Sequence, residues 1–197
     1  MSIILLKIAA TIDSISEWTG RLVSWLIVLM ALVVGYDVAM RYLFQSGSVA
    51  LQELEWHIFA LIFLLGAAYT LKHDDHVRVD LCYRSRWMTR KRRAWVDFLG
   101  AVLFLLPFCL LIINGSLPFV VNAWSMSEIS PDPGGLPARW LLKAAIPFGF
   151  ALLFLQGIAL IIRNGLMLCN VDLDEDVEKL PDTHVETLRH NEQDHLL

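Results

Sequence analysis

The chain has 197 residues, 56% of them hydrophobic and only 18% charged, with a formal net charge of −4 and a mean hydropathy of +0.56. Soluble domains carry about 25% charged residues, and long apolar runs point to a bilayer, so a separate soluble catalytic or nucleic-acid-binding domain is set aside. Cys82, Cys109 and Cys169 are scattered, form no CxxC and signal neither a disulfide framework nor a zinc site.

From the N-terminus, Ile4, Leu5, Ile8, Ile12, Ile15 and Leu22 recur at helical spacing, opposed by Lys7, Asp13 and Glu17. The pattern predicts a helix over 1–21 lying in the membrane interface, or else an N-terminal extension of the first span. It lacks the basic start, short apolar core and small-residue cleavage site of a cleavable signal peptide. Four apolar stretches follow at 22–40, 54–71, 94–113 and 141–162. Each approaches the roughly 20 residues that cross a ~30 Å hydrocarbon core as a helix. Lipid leaves the backbone no other partner, so these segments are helices. The expected fold is an all-α integral membrane protein with a four-span domain over 22–162.

Ionisable groups within spans are costly and are candidates for function. Asp37 precedes Arg41 by one helical turn, acid first, which favours an ion pair. Glu53 and Glu55 open the second span, so the hairpin 41–53 is expected to bring Arg41 near up to three carboxylates. His57 follows Glu53 by four residues and shares its helix face. The group reads either as a proton or cation relay or as a structural clamp. Asp97, four residues after Arg93, repeats the pattern before the third span.

Between the second and third spans the chain reads KHDDHVRVD over 72–80. His73 and His76 would share a face of a continuing helix, as metal ligands do. A metal site needs about four ligands, or three plus water, and three of the six histidines (His184, His190 and His195) lie in the tail. Val77, Val79 and Leu81 alternate with Arg78 and Asp80, which breaks the helical period and suits an extended or turned exit from the membrane. The basic run Arg90, Lys91, Arg92 and Arg93 then either meets anionic lipid head groups or serves topology alone.

The connection before the fourth span, SMSEISPDPGGLPARW, is rich in Pro and Gly and reads as a shaped loop or as an ordinary connector. Residues 163–197 end in a tail with nine acidic residues against Lys179 and Arg189 after position 170, a composition expected to be disordered. Thirteen basic residues fall on the side of the termini and of the connection 72–93. Arg41, Arg139 and Lys143 fall on the other. The positive-inside rule therefore predicts cytoplasmic N- and C-termini.

Several of these residues also form an ordered set. HVRVD, preceded by FLLGAAYTL and by the VAMRYLF that closes the first span, resembles the small membrane subunit of tripartite ATP-independent periplasmic (TRAP) transporters, the DctQ-like proteins. The second half agrees: SEIS (127–130), GLPARW (135–140), Lys143, Ile146, Pro147, Gly149, Leu152, Leu153 and Gln156 are similar to family positions. The set runs in order from about residue 20 to 160. Two positions depart from the family: Asp75 stands where a glycine often precedes the histidine, and no Trp precedes Glu53.

The resemblance implies one part of a sodium-driven importer of organic acids in the bacterial inner membrane. A periplasmic solute-binding protein captures the acid, and a large multi-span permease subunit carries it by an elevator motion. This chain would extend the scaffold without binding substrate, cofactor or nucleic acid. Residues expected at structural or partner contacts are Asp37, Arg41, Glu53, Glu55, His57, Gly66, His76, Arg78, Asp80, Asp97, Glu128 and Gly157, with Phe59, Phe63, Ala67, Phe148 and Phe154 beside them. Pro107 and Pro147 would kink their spans. Two other classes stay open: a membrane metalloenzyme using HDDH with Glu53 and His57, and a stand-alone four-span transporter. Against the latter, no span has a clear polar stripe.

Overall fold

A computed structural model describes residues 2–73 and 89–169, and every regular element among them is helical. In chain order these are α1 (Ser2–Leu43), α2 (Val49–Lys72), α3 (Arg90–Gly100), a π-helical turn (Ala101–Leu105), α4 (Leu106–Ser125) and α5 (Trp140–Leu168). Four stretches are long and apolar enough to cross a bilayer: Ile3–Leu43, Val49–Lys72, Lys91–Ser125 and Trp140–Leu168. Each contains one of the expected spans. The third passes from α3 to α4 through the π turn, two residues before Pro107. Proline offers no N–H to its preceding turn, and a widened turn is one way a helix absorbs that loss. A second proline in α4, Pro118, lies inside the helix, as Pro147 does in α5.

The N-terminal segment is not a separate element. Ser2–Leu43 is one helix of 42 residues. At 1.5 Å per residue it is about 63 Å long, roughly twice the hydrocarbon core. Its facing also differs from a water-soluble amphipathic helix. Ile4, Ile8, Ile15 and Leu22 are exposed, whereas Ala9, Asp13, Ser16 and Thr19 are buried. Lipid is as apolar as leucine, so large aliphatic side chains gain less by facing protein than in water, although Leu6, Ile12 and Val23 on this helix are buried. Small and polar ones gain close packing and hydrogen bonds. The same preference for small residues runs through the fold: among the described residues, eight of the fifteen buried apolar side chains are alanine.

The helices contribute to two compact units. One comprises Met1–Trp18, Ala68–Leu110 and Leu152–Leu197; the other comprises Thr19–Ala67 and Leu111–Ala151. In the first, Ala9, Ile12 and Ala159 form a core with Ile158 and Ile162 packed against it. Gly157 belongs here. A Cβ added to it would lie 3.0 Å from Leu105 and 3.1 Å from Leu106, so its small size is used within the chain. In the second unit, a Cβ on Gly149 would lie 2.7 Å from the backbone oxygen of Leu64, a closer approach than any side chain tolerates. Gly66 is looser, its Cβ position 3.7 Å from Val23.

Candidate functional site

The most elaborate local structure in the second unit is the connector between α4 and α5. It begins with a closure of α4 in which Ser127 N–H donates to the Trp124 carbonyl and Glu128 N–H to the Ala123 carbonyl. Ser127 sits in the left-handed region at φ 46°, the position that glycine usually takes in this helix ending. Further on, Asp132, Pro133, Gly134 and Gly135 make a tight turn closed by the Gly135 N–H on the Asp132 carbonyl. Proline presets the first corner, and Gly134 supplies the positive φ of 81° that the second requires. The two limbs are tied by Ser130 N–H to the Leu136 carbonyl and Arg139 N–H to the Glu128 carbonyl.

Side chains complete the connector. Glu53, only 3% exposed, reaches it from the first turns of α2. One carboxylate oxygen accepts the Ser130 hydroxyl, and the other accepts the Leu136 N–H at 2.6 Å. The Ser130 oxygen in turn accepts the Asp132 N–H at 3.2 Å. Glu128 pairs with Lys143, whose ammonium also lies 3.8 Å from the centroid of Phe119. Arg139 stands over the Trp56 ring at 5.7 Å, and Trp124 meets Trp140 edge-on at 4.3 Å. Positions that were scattered along the sequence thus converge: the acid opening α2, Glu128 and Ser130, Gly135 with Leu136, and Lys143.

Two expectations can be set beside the structure here. Arg41 pairs with buried Asp37 one turn earlier on α1, the ion pair expected from their spacing, while the oxygens of Glu53 bond the connector. His57 hydrogen-bonds Glu53 one turn back on the same helix face, through Nδ1 to its backbone carbonyl, and its ring lies 4.5 Å from that of Trp56. One oxygen of Asp37 and one of Glu55 are buried without a hydrogen-bond partner. Asp97 and Arg93 lie one turn apart on α3, where Lys91 and Arg92 are exposed. Of Arg90 only the helical backbone is described.

The first unit holds a polar network that sequence reasoning missed. Asp13 and Gln156 are both 0% exposed. Gln156 donates its amide N–H to Asp13 at 2.9 Å and accepts the Ser16 hydroxyl at 2.7 Å, while Arg163 donates to the same Asp13 oxygen at 2.9 Å. The signal for it was the i, i+3 spacing of Asp13 and Ser16 beside alanines, the small-and-polar ridge that a membrane helix turns inward. Nearby in the same unit, Glu17 accepts from Lys72 at 2.7 Å and lies 3.3 Å from His73 Nε2. His73, which also stacks on Tyr69 at 4.3 Å, is the described member of the HDDH pair. His76, Arg78 and Asp80 lie outside the described residues.

Chemically, the carboxylates of Asp13, Glu17, Asp37, Glu53 and Glu128 are engaged by hydroxyl, amide, ammonium and guanidinium donors of the same chain. Among the described residues no group of three or more His, Cys, Asp or Glu side chains is placed to hold a metal ion. The geometry describes clasps between helices.

Comparison with known proteins agrees with this picture. Residues 30–165 match the family model for the DctQ component of tripartite ATP-independent periplasmic transporters. The chain is 31% identical over 193 aligned positions to the C4-dicarboxylate TRAP transporter small permease protein DctQ of Vibrio cholerae, covering 85% of this chain and 81% of that one. It is 30% identical over 112 positions to a Haemophilus influenzae protein described as a TRAP transporter small permease protein, covering 56% of this chain and 68% of the other.

Proposed function

The chain belongs to the DctQ family, the small membrane component of tripartite ATP-independent periplasmic transporters, and we propose that it is the scaffold subunit of a sodium-coupled importer of organic acids. In this reading it packs against the large permease subunit and steadies it while that subunit moves substrate by an elevator motion. A periplasmic solute-binding protein delivers the acid. The relative from Vibrio cholerae is named for C4-dicarboxylates, which makes small carboxylates the substrate class to try first. Both termini and the basic connection 72–93 face the cytoplasm of a bacterial inner membrane, as the charge asymmetry favours. The connector Met126 to Arg139 then faces the periplasm, where a binding protein docks.

The observation that carries the scaffold reading is where the polar groups go. Glu53, Glu128, Lys143, Asp13, Gln156 and Arg163 all have partners within the chain. Secondary transporters place substrate and coupling-ion sites at the bilayer midplane, with backbone and charges turned toward a cavity. These groups are spent on tying helices together, while large apolar side chains such as Phe59, Phe63 and Phe148 face outward. The stand-alone transporter therefore has no described pathway to use. The test is assembly: affinity-tagged chain, extracted with the membrane, is expected to retain the large permease subunit in a complex of fixed stoichiometry. Purification of the tagged chain free of that subunit under gentle extraction would count against it.

A further inference from the structure

We infer that Glu53 is a positioning residue that sets the shape of the connector between α4 and α5, and through it the affinity for the solute-binding protein. Three observations converge. The carboxylate bonds both limbs of the connector at once, through the Ser130 hydroxyl and the Leu136 N–H. The limbs carry backbone ties at Ser130–Leu136 and Arg139–Glu128, and the carboxylate adds the tie that holds both limbs to α2. Finally, the space is cut to fit: a Cβ on Gly135 would lie 2.5 Å from Ser130 Cβ and 2.7 Å from Glu53 Oε2. Gly135 is thus the complement of Glu53. Its φ lies outside the left-handed region, so steric room and not backbone freedom excludes a side chain there.

The face held in this way is apolar and stiff. Met126 is 78% exposed and Ile129 67%, and Pro131, Pro133 and Pro137 are exposed along the same segment. Apolar groups on a preordered backbone bind without the entropic cost of ordering a loop. Releasing the latch restores that cost and weakens binding while leaving the transport step itself alone. This rests on the reading of the connector as the face that meets the binding protein.

The test uses the full transporter in proteoliposomes with Glu53→Gln, Ser130→Ala and Gly135→Ala, together with a spin label at Asp132→Cys in a background without the native cysteines. Glutamine keeps one acceptor and turns an N–H₂ toward a donor. Its expected effect is a rise of about tenfold in the concentration of loaded binding protein giving half-maximal uptake, the loss of one charge-assisted hydrogen bond at 1.4 kcal/mol per tenfold. Maximal uptake stays within about twofold. Gly135→Ala, which removes no hydrogen-bonding group, is expected to shift the same constant in the same direction. All three variants should increase spin-label mobility, and Ser130→Ala should add little on top of Glu53→Gln. An immobile label in Glu53→Gln and Gly135→Ala overturns the latch. A mobile label with an unchanged half-saturation overturns its role in docking. Uptake by the unmodified transporter that ignores the binding protein contradicts the functional reading above, and the label then decides the latch on its own.

Discussion

At the scale of single residues, glycines separate what packs tightly from what merely packs. Alanine at Gly149 places a methyl group 2.7 Å from a backbone oxygen that cannot swing away, whereas alanine at Gly66 makes an ordinary 3.7 Å contact with Val23. Overpacking of this kind costs about 1–3 kcal/mol. Gly149→Ala is therefore expected to lower the unfolding midpoint of the purified chain in detergent, with Gly66→Ala close to the parent; equal midpoints would contradict the crossing of α2 and α5. Gln156→Leu is expected to destabilise by about 1–3 kcal/mol, since it strands the Ser16 hydroxyl and strips Asp13 of one donor. The same assay reads it. At the HDDH segment, metal content is expected at background in the wild type and in His73→Ala with His76→Ala; stoichiometric metal that the double substitution removes would restore the metalloenzyme. Asp13 shows why sequence alone misjudged such residues. Its 3.6-residue periodicity was visible, but which face meets protein depends on the solvent, and lipid reverses the preference.

At the scale of elements, the spans were legible because their signal is local, and the Pro and Gly content of the connector carried a local signal of its own. Twenty apolar residues make a helix in lipid, and Pro133 with Gly134 makes a turn. The clasp of Glu53 on Ser130 and Leu136 was not legible. It joins residues about 80 positions apart, and only the packing of α2 beside the connector brings them together. Closeness in sequence placed Arg41 near Glu53, whereas the bonds of the Glu53 carboxylate go to the connector. Orientation is an element-scale matter with its own experiment. Alkaline phosphatase, which works only outside the cytoplasm, is expected to be active when inserted within 42–52 or 125–138. Near 85 or after 170 it is expected to be inactive. Activity at 85 would invert the proposed arrangement.

For the whole molecule, the central claim is that this subunit is needed for transport but transports nothing itself. Glu53, Glu128, Lys143, Gln156 and Arg163 bond to partners within the chain, and the large apolar side chains it exposes suit lipid or another membrane subunit. In the proposed reading, such a chain contributes stiffness and surface to a partner that moves. The direct measurement is sodium-driven uptake of a small dicarboxylate into proteoliposomes, with the binding protein present, comparing the large subunit alone, this chain alone and the two together. Uptake is expected only when both are present, with none above background from this chain alone. Sustained uptake by this chain alone, or full uptake by the large subunit without it, would contradict the account.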